Sequence, residues 1–371
     1  MASLYRLLVV PVLRGDSSSE GLNQIMAAAK SSRIRKSGAV TLRAVAEHLG
    51  LTAGTVSAVL NDSPAARSIP AHTRERVLDA ARELNYRPNF FARSLRVKRS
   101  LTVGVIAEEI GDAYGSLVCG GIEAYLREHN YFFLTVAHRH DPKLLRTYSE
   151  MLRSRGVEGI ITIDTSIDEQ PLLPTVAVAG HQKVENVTNI ILDHRRAAEL
   201  ALGHLKQLGH QNIAFLRGNP DSSDAVSRWD AIQEVAREFD IRIRPELIVQ
   251  LEGKESAAKL GYPSGKMLLA RNVPFTALFA YNDISAIGAM RDFQEAGLRV
   301  PQDVSVVGFD DITVAAYSIP PITTVRQPLL KMGRIAAQTL LDRIEDRAPF
   351  LPEIAVEPEL AVRASSGPAR A

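Results

Sequence analysis

The stretch VTLRAVAEHLGLTAGTVSAVLN, residues 40–61, decides the fold of the N-terminal part of the chain. Thr41 and Thr52 each precede a run with apolar residues at helical spacing, where a threonine hydroxyl can accept a hydrogen bond from a first-turn amide. Gly50 separates the two runs and permits a tight turn. The residues predicted to face inward are Val45, Leu49, Val56, Val59 and Leu60. The stretch therefore predicts two short helices joined by a glycine turn.

A third helix is predicted from about Pro70 to Leu84, with proline in the first turn, where a missing N–H costs little. It buries Val77, Ala81 and Leu84. We assign residues 39–87 to a helix-turn-helix domain, a motif in which the second helix reaches base edges in the major groove of DNA. The residues that face DNA on this geometry are Thr52, Ala53, Gly54, Thr55 and Ser57. Alone the motif is a weak indication, because any small helical subdomain can contain two short helices about a glycine.

Positive charge is concentrated at this end of the chain. Residues 31–100 carry a net charge of +8, whereas the whole chain carries +2, so the remainder is at −6. A basic module on a mildly acidic body favours a polyanion contacted at one end only. The basic segment PNFFARSLRVKRS, residues 88–100, is either an interdomain linker or a hinge helix that forms on DNA. In the second case Leu95 is a minor-groove wedge and the cations pair with phosphates.

From residue 101 the pattern changes to apolar runs typical of strands, alternating with amphipathic helical stretches. Strands are predicted at 102–107, 131–137, 159–163, 189–192, 212–216, 276–280 and 304–307. Helices are predicted at 116–128, 143–154, 195–208 and 284–295. Such alternation predicts parallel sheets with helical crossovers on both faces. We assign residues 101–357 to this α/β domain, 1–38 to a disordered extension ending in a basic arm, and 358–371 to a flexible tail.

Composition restricts the class of protein. The mean hydropathy is −0.03, and no apolar run approaches the roughly eighteen residues of a membrane-spanning helix. The single Cys119 excludes an internal disulfide framework and fits the reducing cytoplasm, which is the predicted location. The apolar stretch 4–13 is too short for a secretion signal and lacks a small-residue cleavage site.

A set of collinear motifs resembles the LacI/GalR (lactose-repressor) family of transcription regulators. The motifs cover residues 40–355 in the family's order, and their agreement across two domains is more specific than any one of them. They are Val40–Gly50, Thr55–Asn61, Thr73–Val77, Glu83–Asn89, Gly203–Leu205, Leu208–His210, Tyr281–Asp283, Gly288–Met290, Gly297–Pro301, Asp303–Asp311 and Pro321–Gln327.

This resemblance implies a helix-turn-helix headpiece and a two-lobed, doubly wound parallel-sheet domain of periplasmic-binding-protein type. It implies three chain crossovers between the lobes, with an effector in the cleft, where strand ends and helix N-termini present polar groups. The implied effector-binding residues are Tyr114, Arg228, Asn282, Asp310 and Gln327. The further DNA-binding residues that it implies are Thr41, Asn61, Tyr86, Asn89, Ala92, Arg93 and Leu95.

Each cleft candidate also has a plainer interpretation. Asp310 and Asp311 could cap the following turn, Arg228 could be a surface cation, and Asn282 with Asp283 could begin a helix. Departures from the family's pattern mean that neither ligand nor operator should be copied from a relative. These departures are Ser256 at a frequent aromatic position, the stretches 111–113 and 195–198, and the small Ala53, Gly54 and Ala58 in the recognition helix.

No sequence motif supports an enzyme. The chain has no Gly-x-Gly-x-x-Gly, Walker A or Gly-x-Ser-x-Gly pattern, and His138, His140 and Asp141 are a weak metal signal without further ligands. We predict no cofactor and no membrane partner. The alternatives to a regulator are a small-molecule binding module without operator specificity and, behind it, a sugar or nucleotide enzyme.

The resemblance implies a homodimer on a pseudopalindromic double-stranded DNA operator. It also implies a small-molecule effector that changes the angle between the lobes, with repression the family's commonest outcome. A carbohydrate is the family's default effector, followed by a purine or nucleoside. The residues leave open whether the effector releases DNA or promotes its binding.

Overall fold

The computed structural model describes residues 40–87, 94, 99–139, 141–167, 170–180, 182–220, 222–251 and 257–370. The chain separates into two compact units, with the boundary between Arg93 and Ser94. The predicted extension 1–38 and most of the predicted hinge segment lie outside the described residues.

The first unit contains three helices, as the sequence predicts. They are α1 (Leu42–Leu49), α2 (Ala53–Leu60) and α3 (Ala71–Glu83), with a short 3-10 helix (Pro64–Ser68) between α2 and α3. Thr41 Oγ1 accepts from Ala44 N at 3.2 Å, and Thr52 Oγ1 accepts from Thr55 N at 3.1 Å. Gly50 ends α1 with φ +67°, a left-handed conformation that glycine adopts at little cost. The two N-caps and the glycine turn are therefore confirmed.

A small apolar core holds these helices together. Its buried side chains come from all three helices: Val45, Ala46, Val56, Val59, Val77 and Ala80. Leu49, Leu60 and Leu84 pack against this core, and Ala81 is also buried. The inward faces predicted from helical spacing are thus confirmed.

The second unit is built on two six-stranded sheets. The strands are β1 (Thr102–Ala107), β2 (Phe132–Ala137), β3 (Gly159–Ile163), β4 (Thr175–Val178), β5 (Val187–Leu192), β6 (Ile213–Arg217), β7 (Ile248–Gln250), β8 (Ala277–Phe279), β9 (Ser305–Asp310), β10 (Thr323–Arg326), β11 (Glu353–Val356) and β12 (Glu359–Ala361). The order is β11-β5-β4-β3-β1-β2 in one sheet and β12-β10-β9-β8-β6-β7 in the other. Each sheet is the centre of one lobe. Described pairings are parallel except β10 with β12, which is antiparallel.

Helices cover both sheets. They are α4 (Ala113–Glu128), α5 (Pro142–Ser154), α6 (His194–Gln207), α7 (Ser223–Glu238), α8 (Ala257–Ala270), α9 (Asp283–Glu295), α10 (Thr313–Tyr317) and α11 (Leu329–Ile344), with a 3-10 turn at Pro245–Leu247. Helix α6 packs on α7 and the second sheet, whereas α11 packs on α4 and the first sheet. The chain therefore changes lobe three times, between β5 and α6, between β10 and α11, and between β11 and β12.

All seven predicted strands and all four predicted helices of this domain are present, with ends shifted by a few residues. The sequence analysis misses β4, β7, β10, β11 and β12, which are only three or four residues long. Strands this short carry too few residues to establish an alternating or continuous apolar pattern, unless the apolar run extends beyond the strand, as it does for β8.

The prediction of a flexible tail at 358–371 is wrong for residues up to 370. Strand β12 pairs with β10, and Ser365 beyond it is fully buried. The Ser365 hydroxyl donates to the Val306 carbonyl at 2.6 Å and accepts from Thr323 N at 2.8 Å. Backbone groups of β9 and β10 thus find their partners in this segment, which is an integral part of the second lobe.

Candidate functional site

The start of α2 presents small polar residues on the surface of the first unit. Thr52, Ala53 and Gly54 are exposed, and Thr55 is half-buried. The hydroxyl oxygens of Thr52 and Thr55 lie 2.9 Å apart. This surface has the size and chemistry to approach DNA closely, since hydroxyls can contact phosphates or bases and a methyl can meet thymine.

Ser57 departs from the prediction that it faces DNA. It is only 8% exposed, and Asn61 Nδ2 donates to the Ser57 carbonyl at 2.7 Å and to its hydroxyl at 3.3 Å. This placement follows from helical geometry, because Ser57 lies next to the inward-facing Val56 and shares its side of α2 with Asn61, one turn later. Asn61 is therefore the C-cap of α2, and its amide is already used there.

The other DNA-binding candidates have mixed environments. Thr41 is exposed and caps α1, whereas Tyr86 is half-buried against the core of the first unit. Asn89, Ala92, Arg93 and Leu95 lie outside the described residues, so their assignment stays a prediction.

The chain enters the second unit through an anchored segment. Glu158, immediately before β3, accepts hydrogen bonds from the backbone amides of Ser100 and Leu101, the latter at 2.9 Å. Arg99 Nε donates to its other oxygen at 2.9 Å, and the Arg99 guanidinium also contacts Tyr131. Because the Glu158 side chain is only 12% exposed, these bonds are partly protected from water. The end of the predicted hinge segment is thus fixed to the start of β3.

Four of the five cleft candidates lie where polar groups of the two lobes converge. Tyr114 is on α4 of the first lobe, while Arg228 is on α7 and Asp310 ends β9 in the second lobe. Gln327 stands in the second crossover, between β10 and α11. Burial raises the pKa of the Tyr114 hydroxyl well above its ordinary value, and the nearby charges of Asp310 and Arg228 also act on this pKa. The structure therefore brings these side chains of both lobes together.

Arg228 is buried rather than on the surface. It is 5% exposed, its Nη1 donates to the Tyr281 carbonyl at 2.6 Å, and its Nη2 bonds Asp224 at 2.5 Å. The guanidinium lies over the Phe309 ring, 3.7 Å from the ring centroid. Its Nε has no hydrogen-bond partner among the described residues. A buried donor left over in this way is costly unless a ligand or water satisfies it.

Asp310 and Gln327 form a buried pair between the second lobe and the crossover. Gln327 Nε2 donates to Asp310 Oδ1 at 2.7 Å, and both residues are less than 7% exposed. Burial raises the pKa of Asp310 well above its ordinary value, opposed by Arg228. Asp310 does not cap the following helix, because the N-cap of α10 is Ile312 and makes no side-chain cap.

For Asn282 and Asp283 the plainer interpretation is confirmed. Asn282 is the N-cap of α9, where its Oδ1 accepts from Ser285 N at 2.9 Å in a reciprocal capping box. Asp283 is fully buried and accepts from Ile312 N at 2.9 Å and from the Thr324 hydroxyl at 2.6 Å. A Cβ on Gly308 would lie 2.2 Å from Asp283 Oδ1, so this carboxylate requires glycine there.

Further acidic residues face the same region and are missed by the sequence analysis. Glu108 and Asp164 directly follow β1 and β3, whose last residues, Ala107 and Ile163, are partners in register. Ser222 of the second lobe donates to Asp164 at 3.3 Å across the cleft. Their position directly after buried parallel strands is a signal that could have identified them, because the carboxyl ends of such strands meet at one edge.

A buried chain of polar contacts links Arg228 to the first crossover. Asp224 bonds Arg228 with one oxygen, and its other oxygen lies 3.0 Å from His194 Nε2. His194 is the first residue of α6, just after the chain has entered the second lobe. The orientation of Arg228 is thus tied to the segment about which the lobes would hinge.

Among the described residues no group of three His, Cys, Asp or Glu side chains is arranged to hold a metal ion. His138 is buried and its Nε2 lies 3.0 Å from Thr165 Oγ1. His140 lies outside the described residues. No described helix has the length and apolar character to cross a membrane.

Comparison with protein families gives two matches. Residues 41–89 match the family model of bacterial regulatory proteins, lacI family, and residues 202–366 match a periplasmic binding protein-like domain.

Curated relatives and solved structures cover most of the chain. The HTH-type transcriptional repressor PurR of Haemophilus influenzae is 32% identical over 335 residues, 88% of this chain and 98% of the relative. The ribose operon repressor of the same organism is 30% identical over 331 residues, with the same coverage. The lac repressor dimer, solved bound to operator and the anti-inducer ONPF, is similar with a TM-score of 0.79 and 28% identity. That likeness covers 88% of this chain and 99% of the other.

Proposed function

The chain belongs to the LacI family of bacterial regulatory proteins, and we propose that it is a transcriptional repressor whose affinity for its operator is set by a small-molecule effector. Curated relatives that span nearly the whole chain are repressors, and the lac repressor structure joins operator and ligand on one fold. We also propose that the protein acts in the cytoplasm and catalyses no reaction.

DNA recognition is assigned to the first unit. The exposed Thr52, Ala53 and Gly54, with the half-buried Thr55, are the base-facing set, and Thr41 is a phosphate-facing candidate. Ser57 is left out because its hydroxyl is turned inward. Asn89, Ala92, Arg93 and the wedge residue Leu95 keep their proposed roles in a hinge segment that contacts DNA.

Effector binding is assigned to the cleft of the second unit. The unpartnered Nε of Arg228 offers a hydrogen-bond donor, and the Asp310–Gln327 pair offers a carboxylate and an amide. Tyr114 supplies an aromatic wall from the other lobe. Asn282 remains a weaker candidate, since its carbonyl oxygen already caps α9. A small hydroxylated molecule, such as a sugar derivative, fits this mixture of donors and acceptors.

Coupling between effector and DNA is proposed to pass through the crossovers. Gln327 is itself in the second crossover, and Asp193 N donates to the Val356 carbonyl at 3.0 Å, joining the first crossover to the third. Arg326 bonds Asp311 and Glu359, joining the second crossover to the third. A ligand that changes the lobe angle must rearrange these contacts. Thermodynamic linkage then makes the effect reciprocal: the factor by which the ligand changes the affinity for DNA equals the factor by which DNA changes the affinity for the ligand.

We further propose a homodimer on an inverted repeat. The related lac repressor is a dimer on its operator, and two-fold protein symmetry suits two half-sites of opposite orientation.

The match of residues 41–89 to the lacI-family model carries the proposal, and selection of DNA sequences tests it. Purified chain is incubated with a pool of random duplexes, and bound duplexes are sequenced over several rounds. We expect one inverted repeat to be enriched. A pool that stays random in composition, with no enrichment over protein-free rounds, would contradict sequence-specific binding and favour the alternative of a small-molecule binding module.

A further inference from the structure

Two carboxyl groups lie side by side on the first-lobe wall of the cleft. Because Ala107 and Ile163 are partners in register, the residues that follow them, Glu108 and Asp164, meet at the carboxyl edge of the sheet. The two side chains are hydrogen-bonded to each other. The Ser222 hydroxyl of the second lobe reaches Asp164 at 3.3 Å, so the pair faces the space between the lobes.

The surroundings of this pair are strongly acidic. The largest charge interactions of Glu108 are with Asp164, Glu109 and Asp112, and those of Asp164 include Asp224 and Asp112, with Arg228 opposing them. His138, which follows β2, contacts Thr165, the residue after Asp164. Burial, reinforced by Asp164, raises the pKa of Glu108 to about 9, and burial also raises that of Asp164, to about 6. Two carboxyl groups can be hydrogen-bonded to each other only when one of them carries a proton, so the contact between Glu108 and Asp164 holds one proton between the two side chains.

Arg228, a buried cation that faces this cluster, is already paired with one carboxylate, that of Asp224. Arg228 bonds Asp224 and the Tyr281 carbonyl, which leaves its Nε as a donor without a partner among the described residues. This donor suits a hydroxyl oxygen of a ligand. The acidic wall on the other lobe suits a positive group, because an ammonium brings both charge and several N–H donors to carboxylate oxygens.

We propose that the effector is a hydroxylated primary amine of the amino-sugar class. Its ammonium group replaces the proton shared by Glu108 and Asp164, and its hydroxyl groups meet Arg228, Asp310 and Gln327. The displaced proton leaves to solvent. This inference rests on the proposed effector site and specifies what that site selects, namely a cationic ligand over neutral or phosphorylated ones.

The first test is a thermal-shift panel on the full chain. Glucosamine, galactosamine and mannosamine are each compared with the parent hexose, the N-acetyl derivative and the hexose 6-phosphate, at matched ionic strength, with MgCl₂ as a plain divalent cation. We expect at least one amine to raise the Tm more than its three matched sugars and more than Mg²⁺. A larger shift with any neutral or phosphorylated sugar or with Mg²⁺, or no shift with any amine, overturns the inference.

The second test counts protons by calorimetry with the best amine in phosphate and HEPES buffers, neither of which contains a primary amine. We expect release of about one proton per protomer near pH 7. Glu108→Gln should release none and bind the amine about 10- to 100-fold more weakly, the range expected for loss of a charge-assisted hydrogen bond. Asp164→Asn is the second variant, and Glu353→Gln, at an exposed position on β11, is the matched control. Unchanged affinity in both Glu108→Gln and Asp164→Asn, with wild-type melting, overturns the inference.

Failure here is distinguishable from failure of the proposed function. The same preparation is used for DNA selection. If an inverted repeat is enriched and its binding responds to a neutral sugar, the proposed repressor function stands and only the inference of an amine effector fails. An absence of enrichment contradicts the repressor whatever the panel shows.

Discussion

At the scale of single residues, Asp283 is an internal carboxyl whose contacts hold α9 against β9 and β10. Burial raises its pKa to about 7, partly offset by the bonds from Thr324 and Ile312. Between about pH 4 and pH 7 the folded chain therefore holds a proton that the unfolded chain has lost. Ionisation of Asp283 thus lowers the stability of the folded state as pH rises through this window.

Asp283→Asn is expected to remove that pH dependence. The variant should be less stable than wild type near pH 5, because an amide replaces one of two accepting oxygens. This deficit should shrink by about 3 kcal/mol by pH 8, since the window from pH 5 to the folded pKa spans about two pKa units of about 1.4 kcal/mol each. Urea unfolding followed by Trp229, the buried single tryptophan, measures this free energy. Asp346→Asn at an exposed turn is the control. A deficit that is the same at both pH values would contradict the assignment.

Gly54 allows stability and DNA recognition to be separated in one substitution. It is exposed on α2, and among the described residues a Cβ there would contact Thr52 Oγ1 alone, at 3.7 Å. Gly54→Ala should raise the stability of the first unit by up to about 1 kcal/mol through helix propensity, while its methyl changes the surface presented to DNA.

DNA selection and thermal unfolding together measure the two effects of Gly54→Ala. We expect a higher Tm of the first unit and a changed base preference within the half-site. Gly50→Ala is the contrasting variant, since φ +67° makes any Cβ unfavourable, and it should lower stability by about 1 kcal/mol. If Gly54→Ala selects the same sequence as the wild type, Gly54 does not lie on the surface that contacts DNA.

At the scale of elements, the start of β3 fixes the chain arriving from the first unit. Glu158 accepts from two backbone amides and from Arg99. Glu158→Gln should destabilise the second unit by about 1–3 kcal/mol, the cost of weakening bonds to a largely buried charged group, and should weaken operator binding.

Chemical denaturation and anisotropy on the selected duplex check both effects of Glu158→Gln. Glu123→Gln is the control, because Glu123 pairs with the exposed Arg127 on the same helix and such surface pairs contribute little. Equal stability and equal DNA affinity of Glu158→Gln and Glu123→Gln would show that the contacts of Glu158 with residues 99–101 have no special role.

The C-terminal segment is an element that sequence reading missed. Deletion of residues 358–371 should leave β10 without its antiparallel partner and Val306 and Thr323 without the Ser365 hydroxyl. We expect a Tm lowered by at least about 10 °C or insoluble protein, because several buried backbone bonds are lost at once. Removal of residues 370 and 371 alone should change little. A soluble 1–357 chain with wild-type Tm would support the flexible tail instead.

Local signals explain why some elements were predictable and others were not. Thr41 and Thr52 stand where caps are needed, and long apolar runs such as 102–107 are unambiguous as buried strands. By contrast, the order of the tail depends on Ser365 meeting β9 and β10, which are distant in sequence. The meeting of Asp164 with Ser222 likewise depends on the packing of two lobes. Contacts between distant segments leave no mark in a local pattern.

At the scale of the whole molecule, the charge of the chain is divided between its two functions. The basic residues 31–100 fit a polyanion, while the cleft of the second unit is lined by carboxyl groups around one buried arginine. A protein of this design should bind DNA with a steep salt dependence, because each neutralised phosphate releases a counterion. Its effector response should depend on the cleft and leave nonspecific DNA binding unaffected.

The central claim is that the chain binds a specific operator. The most direct test is equilibrium fluorescence anisotropy across a salt series, on the selected inverted repeat and on a scrambled duplex. We expect the repeat to be bound at least about 10³-fold more tightly than the scrambled duplex near physiological salt, with log affinity falling linearly with log salt on both. Equal affinity for the two duplexes at every salt concentration would contradict the claim.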